Sequence, residues 1–224
     1  PLLPHLEKLD LSEHAGGTPL RLPVQYVIRP LSSEYHDYRG YAGTIASGSV
    51  FVGQEISVMP SGAVTTVTAI DSPEGSVASA HASEAVTIRV ADNLDISRGS
   101  LLSSTFGKPQ VGNKFGATIC WMSERESLKA RVMYRIKHTT HTARVMIDSF
   151  ECLVDVNDLS QSRFTEELTL NEIGQANLRT NEPLIFDSYS ENRLTGSFIL
   201  IDESTNETVG AGMIGRLGYV GKPT

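Results

Sequence analysis

Apolar and polar residues alternate along most of this chain. From Leu22 onward, runs such as Val24 to Ile28, Tyr41 to Ile45, Ser49 to Val52, Glu55 to Met59 and Val64 to Ile70 repeat with period 2. They are rich in β-branched residues and separated by Gly, Pro, Ser or Asn, which predicts short half-buried strands joined by tight turns. Gly43, Gly48 and Gly53 lie five apart and place strand, turn and strand in a close meander, where a side chain would obstruct sharp corners. A further strand is expected over 85–90, a turn over 95–99 and a strand over 100–102. Helical spacing is confined to the first dozen residues, where Leu2, Leu3, Leu6 and Leu9 oppose Glu7, Lys8 and Asp10. Gly16-Gly17 and Pro19 end that helix.

The stretch Thr105 to Gly116 holds Gly107, Pro109, Gly112 and Gly116 with few large apolar residues, and it reads as a linker. The strand pattern then restarts over 117–122, 128–137, 143–154, 167–170, 175–178, 184–186, 196–201 and 208–213. Many short strands with little helix predict an all-β chain that closes its sheets to remove exposed edges. The expected organisation is a connector helix and linker over 1–19, a first antiparallel β-barrel over 20–106, a linker over 107–116 and a second barrel over 117–224. The barrels and the linker between them are read as two rigid bodies and a hinge.

The 224 residues carry a net charge of −7, with 40% hydrophobic and 20% charged residues, the balance of a folded globular chain. The acidic excess is spread over both halves, so neither is a basic nucleic-acid module. The longest uncharged stretch, Ile56 to Ile70, contains Pro60 and Gly62 and is too short for a membrane helix. Cys120 and Cys152 sit in apolar runs and are read as reduced core thiols of a cytoplasmic protein. The chain begins with Pro, which suggests a piece of something longer.

Catalytic signatures are sparse. Gly43 with Gly48 and Gly107 with Gly112 have phosphate-loop spacing, but neither pair delivers Lys-Ser/Thr into a helix. Asn113-Lys114-Phe115-Gly116 lacks the carboxylate of a guanine reader. His138 and His141 are three apart with no cysteine nearby and are read as a hairpin turn rather than a metal site. Asn206-Glu207-Thr208 fits a glycosylation sequon on a turn. No catalytic, cofactor-binding or metal residue is therefore assigned. The most informative charges are Lys129, Arg131, Arg135 and Lys137, which period-2 geometry places on one strand face as a candidate partner-docking stripe. The alternative is a solvated barrel wall balanced by Asp148 and Glu151.

Arg39 to Ile56 and Ile96 to Leu102 resemble the Gly-rich meander and closing strand of the second domain of translation-factor GTPases such as elongation factor Tu. The runs Leu22 to Pro30, Ile119 to Glu124, Tyr134 to Thr140, Val154 to Asn157, Leu170 to Gly174, Asp187 to Asp202, Thr205-Asn206 and Val209 to Ile214 narrow the resemblance. They are similar to the large, GTPase subunit of bacterial sulfate adenylyltransferase, including forms fused to adenylylsulfate kinase. The resemblance implies two barrels like domains 2 and 3 of elongation factor Tu. It also implies a parent nucleotidyltransferase in sulfate assimilation, in which GTP hydrolysis drives synthesis of adenosine 5'-phosphosulfate from ATP and sulfate. GTP and Mg would belong to a G domain absent from this chain, and ATP to a small-subunit partner in a heterodimer. This chain would be the non-catalytic scaffold that docks its own G domain and the small subunit. The competing reading is the barrel pair of a translational GTPase that binds tRNA or another RNA.

Overall fold

In the computed structural model, which describes residues 18–30, 38–157, 160–163 and 166–215, the alternation resolves into two six-stranded antiparallel barrels. The first runs in the order Arg21–Pro23, Leu101–Ser104, Glu55–Met59, Ala63–Ser72, Ala85–Val90, Gly40–Thr44 and Tyr26–Ile28. Its first and last members are consecutive in the chain, separated only by Val24 and Gln25, so one bent strand closes the ring. Alternate residues point inward, and Leu22, Tyr41, Ile56, Ile70, Ile88 and Leu102 fill the core. Gly43 permits the closure, because a Cβ there would run into the Pro23 carbonyl and the Leu22 side chain. Ser49–Phe51 leaves the meander and pairs with Ser79–His81 as a flap that buries Val50 and Ala80.

The second barrel is a ring of Met133–His138, Ser197–Ile201, Thr208–Ile214, Gln110–Trp121, Ile173–Phe186 and His141–Val154, which pairs back to Met133–His138. Aromatic residues dominate its core. Phe115 lies 5.4 Å from Phe186 and 6.1 Å from Phe198 between ring centroids, and Trp121 meets Tyr134 edge-on at 5.6 Å. The Trp121 indole N–H donates to the Glu126 carbonyl at 2.6 Å, so its polar edge is satisfied.

Two expectations need correction. Residues 110–116, read as linker, are the first half of strand Gln110–Trp121 and pair with Ile173–Phe186 across a bulge between Gly112 and Lys114. Gly-rich composition suggested a loop, but the ladder is made by backbone groups that glycine supplies as well as any residue. The runs over 175–178 and 184–186 are likewise one continuous strand, Ile173–Phe186. The leading helix falls among residues 1–17, outside the described residues. No helix among the described residues is long and apolar enough to cross a membrane.

Candidate functional site

Two regions stand out, a polar joint between the barrels and an apolar groove on the outer wall of the second barrel. At the joint, Arg21 of the first barrel sends Nε and Nη2 to the two carboxylate oxygens of Asp187 in the second, each at 2.8 Å. Both side chains are nearly sealed from solvent, at 5% and 9% exposure. The remaining Arg21 donors reach the Leu20 carbonyl at 3.0 Å and the Gly107 carbonyl at 2.6 Å. Asp187 also accepts the Thr195 hydroxyl at 2.6 Å. A second tie runs from Asn192 Nδ2 to the Ser47 hydroxyl at 2.8 Å, which itself donates to the Pro19 carbonyl at 2.9 Å. Bidentate geometry with the other donors satisfied is the condition under which a buried ion pair offsets its desolvation. The expected hinge between the barrels is therefore a cross-linked joint, and Arg21 also fastens the short Thr105–Pro109 connection.

His138 and His141 flank the Thr139-Thr140 hairpin turn, as expected, and both also take part in the joint. His138 is 1% exposed, and its Nε2 donates to the Thr195 carbonyl at 2.8 Å. His141 packs against Gly99 of the first barrel so closely that a Cβ there would meet its Nδ1 at 2.8 Å. Burial pushes the His138 pKa below its usual 6.5, and the neighbouring His141 adds to this, while the Thr195 carbonyl and Asp187 oppose it. The folded chain thus prefers neutral His138 and binds fewer protons there than the unfolded chain. Its contribution is complete above pH ~6.5 and is lost as pH falls below that toward the lower folded value. Urea midpoints measured at pH 8 and pH 5.5 should show a smaller acid loss for His138→Gln than for the parent. An equal loss in both would remove His138 as the source.

The basic stripe does not survive as one face. Arg131 adopts a left-handed φ of 66° and donates its backbone N–H to the Ile147 carbonyl, so the expected strand over 128–137 breaks into Leu128–Lys129 and Met133–His138. Lys129 lies in a separate two-stranded sheet, 3.8 Å from Glu167. Arg135 and Lys137 remain together on the outer face with Met133, while Tyr134 and Ile136 enter the core. Arg135 donates to the Asn206 side chain at 3.0 Å, which places the sequon asparagine in a side-chain contact. Lys137 has no ion pair or hydrogen bond among the described residues and stands at the rim of the groove.

That groove has a volume of roughly 610 Å³. Cys120, Ile173, Ile199, Ala211 and Met213 form its floor, and Tyr189 and Leu194 its wall. The register explains the floor: Ile199 pairs with Ala211, Ala211 with Cys120 and Cys120 with Ile173, so outward-facing apolar residues run side by side across four strands. Cys120 is thus on the outer wall rather than in the core, and both cysteines are free thiols. Thr118, 2% exposed, also lines the groove, and its buried hydroxyl has no hydrogen-bond partner among the described residues. Leu194 is 60% exposed on a loop that Asp187 and Asn192 tie to the first barrel, so the joint also holds the groove wall.

Sequence reasoning missed Arg21, Asp187 and the groove. A signal existed for the pair, since Arg21 interrupts the apolar run 20–24 and Asp187 ends the run 184–186. Which charge meets which is set only by the packing of one barrel on the other.

Residues 114–215 match a family model described as GTP-eEF1A C-terminal domain-like. Over 215 residues, 96% of its length, the chain is 46% identical to the bifunctional enzyme CysN/CysC of Mycobacterium tuberculosis (strain ATCC 25618 / H37Rv), of which it covers 35%. It is 44% identical over 95% of its length to sulfate adenylyltransferase subunit 1 of Aeromonas salmonicida (strain A449), of which it covers 44%. The chain therefore spans less than half the length of these curated relatives. Among solved structures, sup35 complexed with GMPPNP superposes with a TM-score of 0.80 at 22% identity, covering 95% of this chain and 51% of that one. Apo translation elongation factor SelB from Methanococcus maripaludis gives 0.70 at 19% identity, covering 98% and 47%. At such identities the likeness speaks to the fold, two barrels placed side by side.

Proposed function

We infer the role of this chain from its family, the sulfate adenylyltransferase subunit 1 branch of the translation-factor GTPase superfamily. It is the two-barrel part of a GTPase subunit in which GTP hydrolysis elsewhere drives formation of adenosine 5'-phosphosulfate from ATP and sulfate. Its own task is to hold and orient, as a cytoplasmic scaffold that docks its G domain and the small, ATP-using subunit. The observation that carries this reading is identity of 44–46% along nearly the whole chain to relatives with those names.

Among the described residues, the glycine pairs with phosphate-loop spacing form no cradle for GTP and Mg. A Cβ at Gly48 would meet the Thr18 carbonyl oxygen at 2.6 Å, so that glycine packs against backbone rather than cradling phosphate. Gly112 lies within a strand. Nucleotide chemistry is accordingly assigned to the part of the relatives beyond this chain.

The outer groove of the second barrel is the surface we assign to the small subunit. An apolar floor ending at an unpaired cation suits a segment with apolar side chains and a carboxylate. Lys137→Glu and Ile199→Glu should each weaken co-migration with the small subunit at least tenfold, while Lys129→Glu and Arg131→Glu leave it unchanged. Undiminished binding by both groove variants would remove this face as the interface. The RNA alternative needs contiguous cations, and the stripe that would supply them is split at Arg131.

A further inference from the structure

The first barrel carries a second feature that scaffold and docking roles leave unused. Beside the strands Gly40–Thr44 and Ala85–Val90 lies a cavity of roughly 470 Å³ whose wall includes Arg29, Arg39, Arg89, Tyr38, Tyr41 and Asp92. Three guanidinium groups around one cavity repel one another unless anions sit between them. Two carboxylates do part of this. Asp71 lies 3.4 Å from Arg89 Nε and accepts the Tyr38 hydroxyl at 3.3 Å, and Asp92 accepts the Thr65 hydroxyl at 2.8 Å. Arg39 donates to the Asn93 side chain and, at 3.5 Å, to the Leu94 carbonyl. Arg89 also lies over the Tyr38 ring, 5.5 Å from its centroid, which fixes the plane of its guanidinium. Arg29 is exposed and has no hydrogen bond or ion pair among the described residues. Among the described residues, one positive charge and several N–H donors are left without a counterpart.

The second, independent observation is Tyr41. It is 0% exposed, its ring belongs to the barrel core, and its hydroxyl is buried with no hydrogen-bond partner among the described residues. A buried O–H without an acceptor is costly, and phenylalanine would fill the same space without that cost. Tyr41 is also one of the residues that line the arginine cavity, so an acceptor bound there that reached its hydroxyl would satisfy it.

We propose that this cavity is an oxyanion site that binds the tetrahedral head of a small phosphate or sulfate monoester, with Arg29, Arg39 and Arg89 as guanidinium donors and the Tyr41 hydroxyl as a fixed neutral donor. Planar guanidinium forks match the oxygen spacing of phosphate and sulfate, whereas a lone spherical anion such as chloride uses only one fork at a time. The volume is within the range of small-molecule pockets and leaves room beyond the head for the organic part of an ester.

The test titrates the 224-residue chain with phenyl phosphate, phenyl sulfate, inorganic phosphate and phenol at constant chloride, followed by amide shifts of Gly40, Tyr41 and Arg89. Phenyl phosphate or phenyl sulfate should saturate at roughly millimolar concentration or below, the tighter of the two identifying the head, and phenol should leave these amides unmoved. Arg29→Gln should weaken ester binding about tenfold, the scale of one charge-assisted hydrogen bond. Tyr41→Phe should weaken it severalfold while its melting temperature stays at or above that of the parent. That combination separates a ligand-facing hydroxyl from a structural one. Inorganic phosphate binding as tightly as both esters would overturn the assignment to an ester. Failure of both esters to saturate, or affinities unchanged in both variants, would overturn the site.

Discussion

Replacing Arg21 with Ala is expected to destabilise the chain by about 3–5 kcal/mol and to make its two barrels unfold separately. The size follows from what the truncation leaves behind. Asp187 would remain a buried carboxylate that has lost its one neutralising charge among the described residues, with the Thr195 hydroxyl as its side-chain donor. The Leu20 and Gly107 carbonyls would lose the guanidinium N–H groups they accept. Uncoupling follows because each barrel owns a closed ring and a separate core, which leaves the Asn192–Ser47 tie and the packing of His141 on Gly99 to couple them. The chain contains one tryptophan, Trp121, deep in the second barrel, so its fluorescence reports that barrel while far-UV circular dichroism reports both. In the parent the two urea transitions should coincide, and in Arg21→Ala they should part. The double variant Arg21→Met, Asp187→Leu should recover most of the loss, because an apolar pair removes the stranded charge. A midpoint shift worth less than about 1 kcal/mol in Arg21→Ala, with coincident probes, would show that the ion pair does not hold the joint.

The joint bears on the proposed docking role because it sets the groove. Tyr189 and Leu194 form one groove wall, and the segment that carries them is anchored at Asp187 and Asn192 to the first barrel. A shift of the first barrel would therefore be transmitted to the surface proposed for the small subunit through one short loop. With both ties in place, a displacement of one barrel would carry the other with it.

The barrels themselves were legible because alternation is a local property. Period-2 runs and turn residues mark the strands, and closure follows from the need to leave no edges. The basic stripe was misread for a local reason too: one residue, Arg131, with a left-handed backbone, ends the alternation that would have aligned four cations. Nothing in its side chain announces that conformation. The joint, the groove and the arginine cavity were not legible because each gathers residues far apart in sequence. Arg21 and Asp187 are separated by 166 positions, and the groove floor takes one residue or two from each of four strands. Cys120 shows the same limit, since an apolar run does not say which of its faces meets the core and which lines an outer groove.

The alternation also concealed why Val209-Gly210-Ala211-Gly212-Met213 has small residues where core residues belong. Gly210 and Gly212 face into the second barrel opposite its largest side chains. A Cβ at Gly210 would come within 3.2 Å of the Trp121 ring, and a Cβ at Gly212 would collide with the Phe198 ring. The aromatic rings occupy the volume that side chains at 210 and 212 would otherwise fill, so the core stays close-packed. Phe198→Ala is accordingly expected to cost about 3–5 kcal/mol, since the ring is buried against Gly212 and stands edge-on to Phe115. Gly212→Ala should cost about 1–3 kcal/mol by overpacking, with no backbone penalty, because Gly212 is not among the glycines with positive φ. The two changes should not add. In the double variant the new methyl enters space the ring has vacated, so its loss should fall short of the summed single losses by at least about 0.5 kcal/mol. Urea denaturation followed by Trp121 fluorescence measures all three variants. Additive losses would mean that the glycine is there for some reason other than the ring, and that the interlocking of small and large residues does not shape this core.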